Sequence, residues 1–117
     1  MGENVEVKYT STVYYIRLPN GRKAYLKYSI EGDTLKIIET YTPPEFRGRG
    51  LAGKLVKVAL ERAEREGLKV EPICSYALHY FIKHPEYRHL LSDKYKDANL
   101  NEMLKRRLGR EQSKSQG

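Results

Sequence analysis

Hydrophobic and polar side chains alternate with the two-residue period of β-strands over roughly the first third of the chain. Four runs carry this alternation, at residues 5–9, 12–18, 23–30 and 34–42. Asn20-Gly21 and Gly32 supply the turns after the second and third runs, since these residue types tolerate a positive φ. Pro43-Pro44 removes two N–H donors and ends the fourth run. The chain is therefore predicted to open with an antiparallel meander of three or four strands.

From Gly48 the hydrophobic period becomes that of a helix. One apolar stripe is formed by Leu51, Leu55, Val58, Ala59 and Ala63. Gly67 is placed to stop this helix. Residues 68–73 then predict a fifth strand, parallel to the fourth because a helix connects the two.

Two further helices are predicted after the fifth strand. Ser75 is the expected N-cap of a helix over residues 77–84, which Pro85 ends, and residues 98–108 form another amphipathic segment. The fold class is therefore mixed α/β (α+β), with an antiparallel meander, one β-α-β crossover and helices packed on a central sheet.

Chain length and composition indicate one globular domain. The 117 residues contain 39% hydrophobic and 32% charged side chains. We expect a single domain over residues 1–108, with a C-terminal helix from about residue 95, and a disordered polar basic tail over residues 109–117. No long apolar run and no signal-peptide pattern is present, so a cytoplasmic protein without membrane contact is expected.

The net charge of +7 is concentrated at the C-terminal end. Residues 105–117 hold five basic residues and one acid, about +4 of that total. Such an end can bind polyanions, but it is more typical of a solvated helix terminus. Elsewhere acids largely balance the Lys and Arg, so nucleic acid is not expected as a partner. The single cysteine, Cys74, excludes an internal disulfide and a Cys-rich zinc site, and no metal is expected.

The segment RGRGLAGKL, at residues 47–55, matches three phosphate-binding patterns. It contains G-x-G-x-x-G of dinucleotide sites, G-x-x-x-x-G-K of P-loops, and R-x-x-G-x-A of acyl-CoA loops. The dinucleotide pattern needs further βαβ units than the chain can hold, although Glu71 imitates its ribose-binding acid. The P-loop pattern lacks its Ser or Thr, because Leu55 stands there. The glycines can also serve only to shape the start of a helix.

The segment TPPEFRGRGLAGKLVKVALERAEREGLKV resembles motif A of the GNAT superfamily of N-acetyltransferases. With VEPICSY and KHPEY at their spacings, the chain is similar to the small, single-domain GNAT-like family, over roughly residues 25–91. The resemblance implies a GNAT-like fold and an acyltransferase that uses acetyl-CoA as co-substrate. It places the acyl-CoA between the fourth and fifth strands.

The resemblance also implies which residues bind the co-substrate. Backbone N–H groups of the loop would hold the pyrophosphate, two arginines and a lysine would add charge, and the end of the fourth strand would orient the thioester. The residues concerned are Thr40, Tyr41, Thr42, Arg47, Gly48, Arg49, Gly50, Leu51, Ala52 and Lys54.

Acetyl transfer to an amine requires a base and a proton donor for the departing thiolate. Glu39 is the candidate base, although the family pattern has a His-Thr pair where this chain has Glu39-Thr40, and a surface-facing strand acid is the alternative. Tyr76 and Tyr80 are four residues apart and so share a helix face, and a phenol there can donate the proton. Packing in the core is the alternative for either tyrosine, since the chain has ten. Cys74 precedes a helix, where a lowered pKa would favour a reactive thiolate. The resemblance implies a thiol near the acetyl group, as acetyl acceptor or as base, and a buried structural cysteine is the alternative.

The sequence thus predicts an acetyl-CoA-dependent N-acetyltransferase that acts on a primary amine. The short chain favours an open acceptor site, suited to a protein lysine or N-terminus, or to a polyamine. A GNAT-like module that binds acyl-CoA without turnover is the first alternative. A basic protein associated with nucleic acid or the ribosome is the second.

Overall fold

The computed structural model describes residues 5–116, with side chains described as far as residue 109. The strands are β1 (Lys8–Tyr9), β2 (Val13–Arg17), β3 (Lys23–Glu31), β4 (Thr34–Tyr41) and β5 (Lys69–Pro72). The helices are α1 (Leu51–Glu66), α2 (Ser75–Lys83), α3 (Asp93–Lys96) and α4 (Leu100–Gln116), and 3₁₀ turns cover Pro44–Phe46 and Pro85–Leu90.

The five strands form one sheet in the order of the chain, antiparallel from β1 to β4 and parallel between β4 and β5. The predicted turns are present, with Gly21 at φ 83° and Gly32 at φ 62°. The helix α1 links the two parallel strands, as the β-α-β pattern predicts. The mixed α/β fold class is therefore confirmed.

The core lies between one face of the sheet and α1. The alternate residues of β2, β3 and β4 that point to this side are buried, among them Ile16, Leu26 and Ile37. The helix contributes the buried side chains Leu51, Leu55, Val56, Ala59, Leu60 and Ala63. Gly67 ends α1 in the left-handed conformation, at φ 69°, with its N–H bonded to the carbonyls of Ala63 and Glu64.

The C-terminal part departs from the sequence prediction in three places. Cys74, not Ser75, caps α2, so the predicted N-cap is wrong by one residue. A 3₁₀ turn and the short helix α3 occupy the segment before α4. The helix α4 extends to Gln116 rather than ending at residue 108. The disordered tail expected over residues 109–117 stays a prediction, because side chains are described only as far as residue 109.

Candidate active site

The strands β4 and β5 separate at a defined point. Their last paired residues are Ile37 and Pro72, while β4 continues to Tyr41. The Ile37 carbonyl accepts the N–H groups of both Ile73, at 3.0 Å, and Cys74, at 3.1 Å. The register against β3 also shifts here, so that Ile38 is an extra residue in β4. A bulge of this kind bends its strand. The end of β4 therefore leaves β5 and borders an open space.

The glycine loop reaches the N-terminus of α1 beside that space. Gly48 and Gly50 have φ values of 80° and 77°, a conformation that glycine adopts without strain. Gly50 is the N-cap of α1, and no side chain caps the helix. The N–H groups of the first helical turn have no acceptor within the helix, whereas the N–H of Arg47 already bonds to the Pro44 carbonyl at 3.3 Å. The available donors therefore begin after Arg47.

Two adjoining cavities form a cleft along the end of β4. One, of about 430 Å³, is lined by Thr40, Tyr41, Thr42, Phe46, Arg47, Gly48, Gly50, Leu51, Ala52 and Tyr76. The other, of about 500 Å³, is lined by Ile38, Glu39, Thr40, Ile73, Cys74, Ser75, Tyr76 and Arg107. Thr40 and Tyr76 line both. The glycine loop and the thiol therefore lie at the two ends of one cleft.

Cys74 has its thiol at the start of α2. Its Sγ accepts the Ala77 N–H at 3.3 Å and so caps the helix. Burial raises the pKa of this thiol above its usual range, and hydrogen bonds from the Ala77 N–H and the Thr40 side chain oppose the rise without reversing it. The expected lowering of the Cys74 pKa is therefore wrong, because desolvation outweighs the helix N-terminus.

The two candidate phenols occupy different environments. Tyr76 is 36% exposed and lines both cavities. Tyr80 is 8% exposed and its ring stacks on the imidazole of His84, with centroids 4.1 Å apart. Burial raises the pKa of both, that of Tyr80 to about 12. Both phenols therefore keep their protons at neutral pH, and Tyr76 is the one at the cleft.

Gly53 allows the close approach of Tyr76 to α1. A Cβ at this position would lie 3.4 Å from the Tyr76 hydroxyl oxygen and 3.8 Å from Cε2 of Tyr80. The sequence prediction did not single out Gly53, and the third glycine of the loop pattern is the signal that could have found it. The glycine thus brings a phenol beside the uncapped end of α1.

Glu39 stands beyond the bulge and lines the thiol end of the cleft. Its carboxylate accepts a hydrogen bond from the Tyr25 hydroxyl at 3.1 Å. Lys27 of β3 is the residue directly opposite in the sheet. The structure therefore brings together Glu39, Cys74 and Tyr76 around one cavity.

The cations of the glycine loop make contacts within the protein. The Arg47 Nε donates to the Thr42 carbonyl at 2.9 Å, which ties the loop to the end of β4. The guanidinium of Arg49 lies over the Phe46 ring, 5.0 Å from its centroid. Lys54, in the first turn of α1, is partly buried. Arg47 and Arg49 therefore hold the loop in shape and leave N–H donors at its surface.

Arg107 of α4 also lines the cleft, although the sequence suggested only a basic tail at this position. One guanidinium nitrogen donates to the carbonyls of Pro72, at 2.7 Å, and Ile73, at 2.8 Å. The other donates to the Tyr95 hydroxyl at 3.2 Å. The charge of Arg107 also opposes the rise in the Cys74 pKa. No local pattern identifies this residue, because the two carbonyls that it bonds are 35 and 34 positions away in the chain.

The described part of the chain contains neither a cluster of metal ligands nor a membrane-spanning helix. Within that part, no group of three or more His, Cys, Asp or Glu side chains could hold a metal ion. His89 pairs with Glu64 at 2.9 Å, and the His84 Nδ1 lies 3.5 Å from Glu86. No helix there is long and apolar enough to cross a bilayer.

Comparison with known families identifies the fold. The model of the GCN5-related N-acetyltransferase family matches residues 13–90, about two thirds of the chain. The chain belongs to the GCN5-related N-acetyltransferase family. It is therefore an acyltransferase, and the family resemblance seen in the sequence is confirmed. The matched residues include the glycine loop, Glu39, Cys74 and both candidate phenols, but not α4.

A solved structure agrees with this membership. The solution NMR structure of a GCN5-like protein from Staphylococcus aureus is 27% identical and superposes with a TM-score of 0.62. The match covers 82% of this chain and 99% of the other. The sheet and helices described above are thus those of a GCN5-like N-acetyltransferase fold.

Proposed function

We propose that this GCN5-related acyltransferase uses acetyl-CoA to acetylate a primary amine of a protein or a small polyamine. The observation that carries the proposal is the cleft where β4 leaves β5, with an uncapped helix N-terminus at one end and Cys74 and Glu39 at the other. Helix N-termini bind phosphate through N–H donors and the helix dipole. Acetyl-CoA has a pyrophosphate for that end and an activated thioester for the other.

The residues of the loop would bind and orient the co-substrate. The N–H groups that follow Arg47 would hold the pyrophosphate, and open space lies in front of Gly48 and Gly50. Arg49 and Lys54 would add positive charge. Thr40, Tyr41 and Thr42, at the end of β4, would align the thioester through backbone N–H and C=O groups freed from pairing with β5.

Residues at the other end of the cleft would accept and donate the protons of the reaction. Glu39 would accept the proton of the acceptor ammonium, directly or through water. Tyr76 would donate its phenolic proton to the sulfur that leaves, because it stands between the two cavities. The raised pKa of Cys74 favours the neutral thiol at rest, so a role as acetyl acceptor requires a base to remove the thiol proton.

The openness of the cleft supports a protein amine or polyamine as acceptor. Glu39 is exposed and suits a cationic acceptor. An enclosed metabolite would need walls on all sides, whereas this end is bordered by the ends of β4 and β5, the start of α2 and Arg107. The acceptor class is tested by measuring CoA release with polyamines, with lysine peptides and with peptides that offer only an N-terminal amine.

Calorimetric titration with acetyl-CoA and desulfo-CoA tests the site itself. We expect micromolar binding of the wild type and none by Gly50→Glu, whose carboxylate would occupy the phosphate position. Gly32→Glu is the matched control, because Gly32 also has a positive φ, 62°, in a turn away from the cleft. Loss of binding in both variants, or in neither, would contradict the assigned loop. Binding without CoA release for any amine would favour the non-catalytic module.

A further inference from the structure

The solvent-facing side of the meander carries three tyrosines in a row across three strands. Tyr15 of β2 is directly opposite Tyr25 of β3, which is directly opposite Tyr41 of β4. Side chains that are opposite in an antiparallel pair project from the same face. The rings of Tyr25 and Tyr41 have centroids 5.6 Å apart, and all three side chains are partly exposed. The three tyrosines thus form a row on the side of the sheet away from the core, with the rings of Tyr25 and Tyr41 in contact.

Four cations surround this row. Lys8 of β1 is opposite Tyr15, Arg17 is opposite Lys23 in the next row, and Lys27 follows Tyr25 by two residues. We call these four cations and the three tyrosines the tyrosine face. The Lys23 ammonium lies 5.1 Å and the Arg17 guanidinium 5.9 Å from the centroid of the Tyr15 ring. The cations are therefore beside the aromatic row rather than scattered over the surface.

The four cations of the tyrosine face form no ion pair with any described carboxylate. Ion pairs of the described chain join Lys36 to Glu31, Arg62 to Glu66 and Lys94 to Glu71. A further pair, Arg22 with Glu45, lies at the Tyr41 end of the row, where Arg22 donates to the Tyr41 hydroxyl at 2.9 Å. Among the described side chains, none of the four cations of the face has a carboxylate within 4.0 Å. The nearest acid in the strand register is Glu39, opposite Lys27, whose carboxylate bonds to the Tyr25 hydroxyl.

A cavity opens within this face. It has a volume of about 430 Å³ and is lined by Thr10, Val13, Tyr15, Lys23, Tyr25 and Lys27. Two aromatic rings and two ammonium groups therefore border a space large enough for a planar ring with an anionic substituent. It shares no lining residue with the two cavities of the candidate active site.

We propose that the tyrosine face binds single-stranded nucleic acid, with bases on the tyrosine rings and phosphates on the four cations. Adjacent strands lie about 5 Å apart, so the row of rings spans ~10 Å, enough for two or three splayed nucleotides. Stacking on aromatic rings tolerates every base, and nearby cations bind the backbone. An acidic peptide would pair its carboxylates with the cations, but it has no planar bases that would stack on the three rings. The cavity of the tyrosine face is distinct from the acetyl-transfer cleft, although Tyr41, at one end of the row, also lines that cleft.

The binding test uses the full chain and fluorescein-labelled oligo-dT and oligo-rU of about twelve nucleotides. Fluorescence anisotropy at low salt should show micromolar binding that weakens as salt is added. If all four cations contact phosphates, a fourfold rise in salt weakens binding by about 50-fold, from a slope of about −0.7 per contact. No binding at low salt would overturn the proposal.

Matched pairs of charge-removing variants test whether the cations of the tyrosine face contact the phosphates of the oligonucleotide. Lys23→Gln/Lys27→Gln should reduce the salt slope by about 1.4, because two phosphate contacts are lost. The control Lys105→Gln/Arg106→Gln removes the same charge from exposed positions of α4. It should leave the slope within about 0.3 of the wild type. Loss of affinity only in the α4 variant would assign binding to the basic C-terminal end and overturn the proposal.

Variants of the Tyr15 ring distinguish binding of nucleic acid from binding of an acidic peptide. Tyr15→Leu should weaken oligonucleotide binding about 10-fold, and Tyr15→Phe should restore it, because stacking needs the ring and not the hydroxyl. Tyr9→Leu is the control, since Tyr9 is 68% exposed but stands opposite Tyr14 rather than in the row. Wild type and Tyr15→Leu could instead bind the oligonucleotide equally well, and polyglutamate could displace it fully. Those two results would indicate a surface that binds polyanions without stacking on bases. They would also overturn the proposal.

Discussion

Cys74 shows at the residue scale how burial can outweigh a helix N-terminus. Its Sγ accepts the Ala77 N–H, an interaction that favours the thiolate. The loss of hydration favours the thiol and is the larger effect, so the pKa is raised. The sequence correctly predicted that the thiol precedes α2, but the solvent exposure of the thiol could not be predicted from it. The reactivity of this residue is therefore set by its surroundings in three dimensions.

The pH dependence of Cys74 alkylation tests this assignment. The chain has a single cysteine, so iodoacetamide reports on this thiol alone. We expect the midpoint of the rate profile to lie higher in the native protein than in the urea-denatured chain. The same shift makes the free energy of unfolding fall as pH rises above the ordinary thiol pKa, because the unfolded chain releases this proton first. A native midpoint equal to or below the denatured one would contradict the raised pKa.

Tyr76 is the second prediction at this scale. Tyr76→Phe removes only the hydroxyl, and we expect kcat to fall about 100-fold, a typical loss for a general acid. The Kd for acetyl-CoA should stay nearly the same, since the ring remains. Tyr80→Phe is the matched control on the same helix, buried against His84. A larger loss of kcat in Tyr80→Phe than in Tyr76→Phe would reverse the assignment.

The helix α4 contributes at the scale of elements through one side chain. Arg107 joins the carbonyls at the end of β5 to Tyr95 and forms part of the cleft wall. These carbonyls come just before the N-cap of α2, so the contact connects α4 to the segment that presents Cys74. The family match ends at residue 90, so α4 lies outside the matched region.

Loss of this contact should destabilise the domain. Arg107→Gln removes charged hydrogen bonds to two carbonyls, and we expect the free energy of unfolding to fall by about 2 kcal/mol. The midpoint of Cys74 alkylation should rise further, because a nearby positive charge is lost. Arg106→Gln is the control, since the neighbouring side chain is exposed. Urea unfolding of both variants provides the measurement, and equal losses would argue against the contact.

Ligand binding should stabilise the whole molecule by mass action. The loop, β4 and α2 each contribute to the cleft, so a bound ligand contacts the segments that follow β4 and β5. At 100 times its Kd, desulfo-CoA should add about 2.7 kcal/mol to the free energy of unfolding. For a domain of this size, that corresponds to a rise in Tm of roughly 10 °C. Differential scanning fluorimetry should show this rise in the wild type and in Gly32→Glu, but not in Gly50→Glu.

The sequence by itself determined the features that depend on neighbours in the chain. Alternation predicted the strands, and the helical period predicted α1. Glycines at positions 21, 32 and 67 marked turns and a helix end, where a positive φ is required. The glycine loop and the segment around Cys74 carried the family resemblance. Each of these signals operates over a few residues, so it can be read without knowing the fold.

Only the tertiary structure decided which distant residues meet. The bulge at Ile38 and the separation of β4 from β5 opened the cleft, and packing of α4 brought Arg107 into it. Strand register aligned Tyr15, Tyr25 and Tyr41. It also brought four cations together on one face, although acids largely balance the Lys and Arg along the sequence. Burial reversed the expected direction of the Cys74 pKa. Register, desolvation and long-range contacts depend on the positions of all elements together, and no local pattern encodes them.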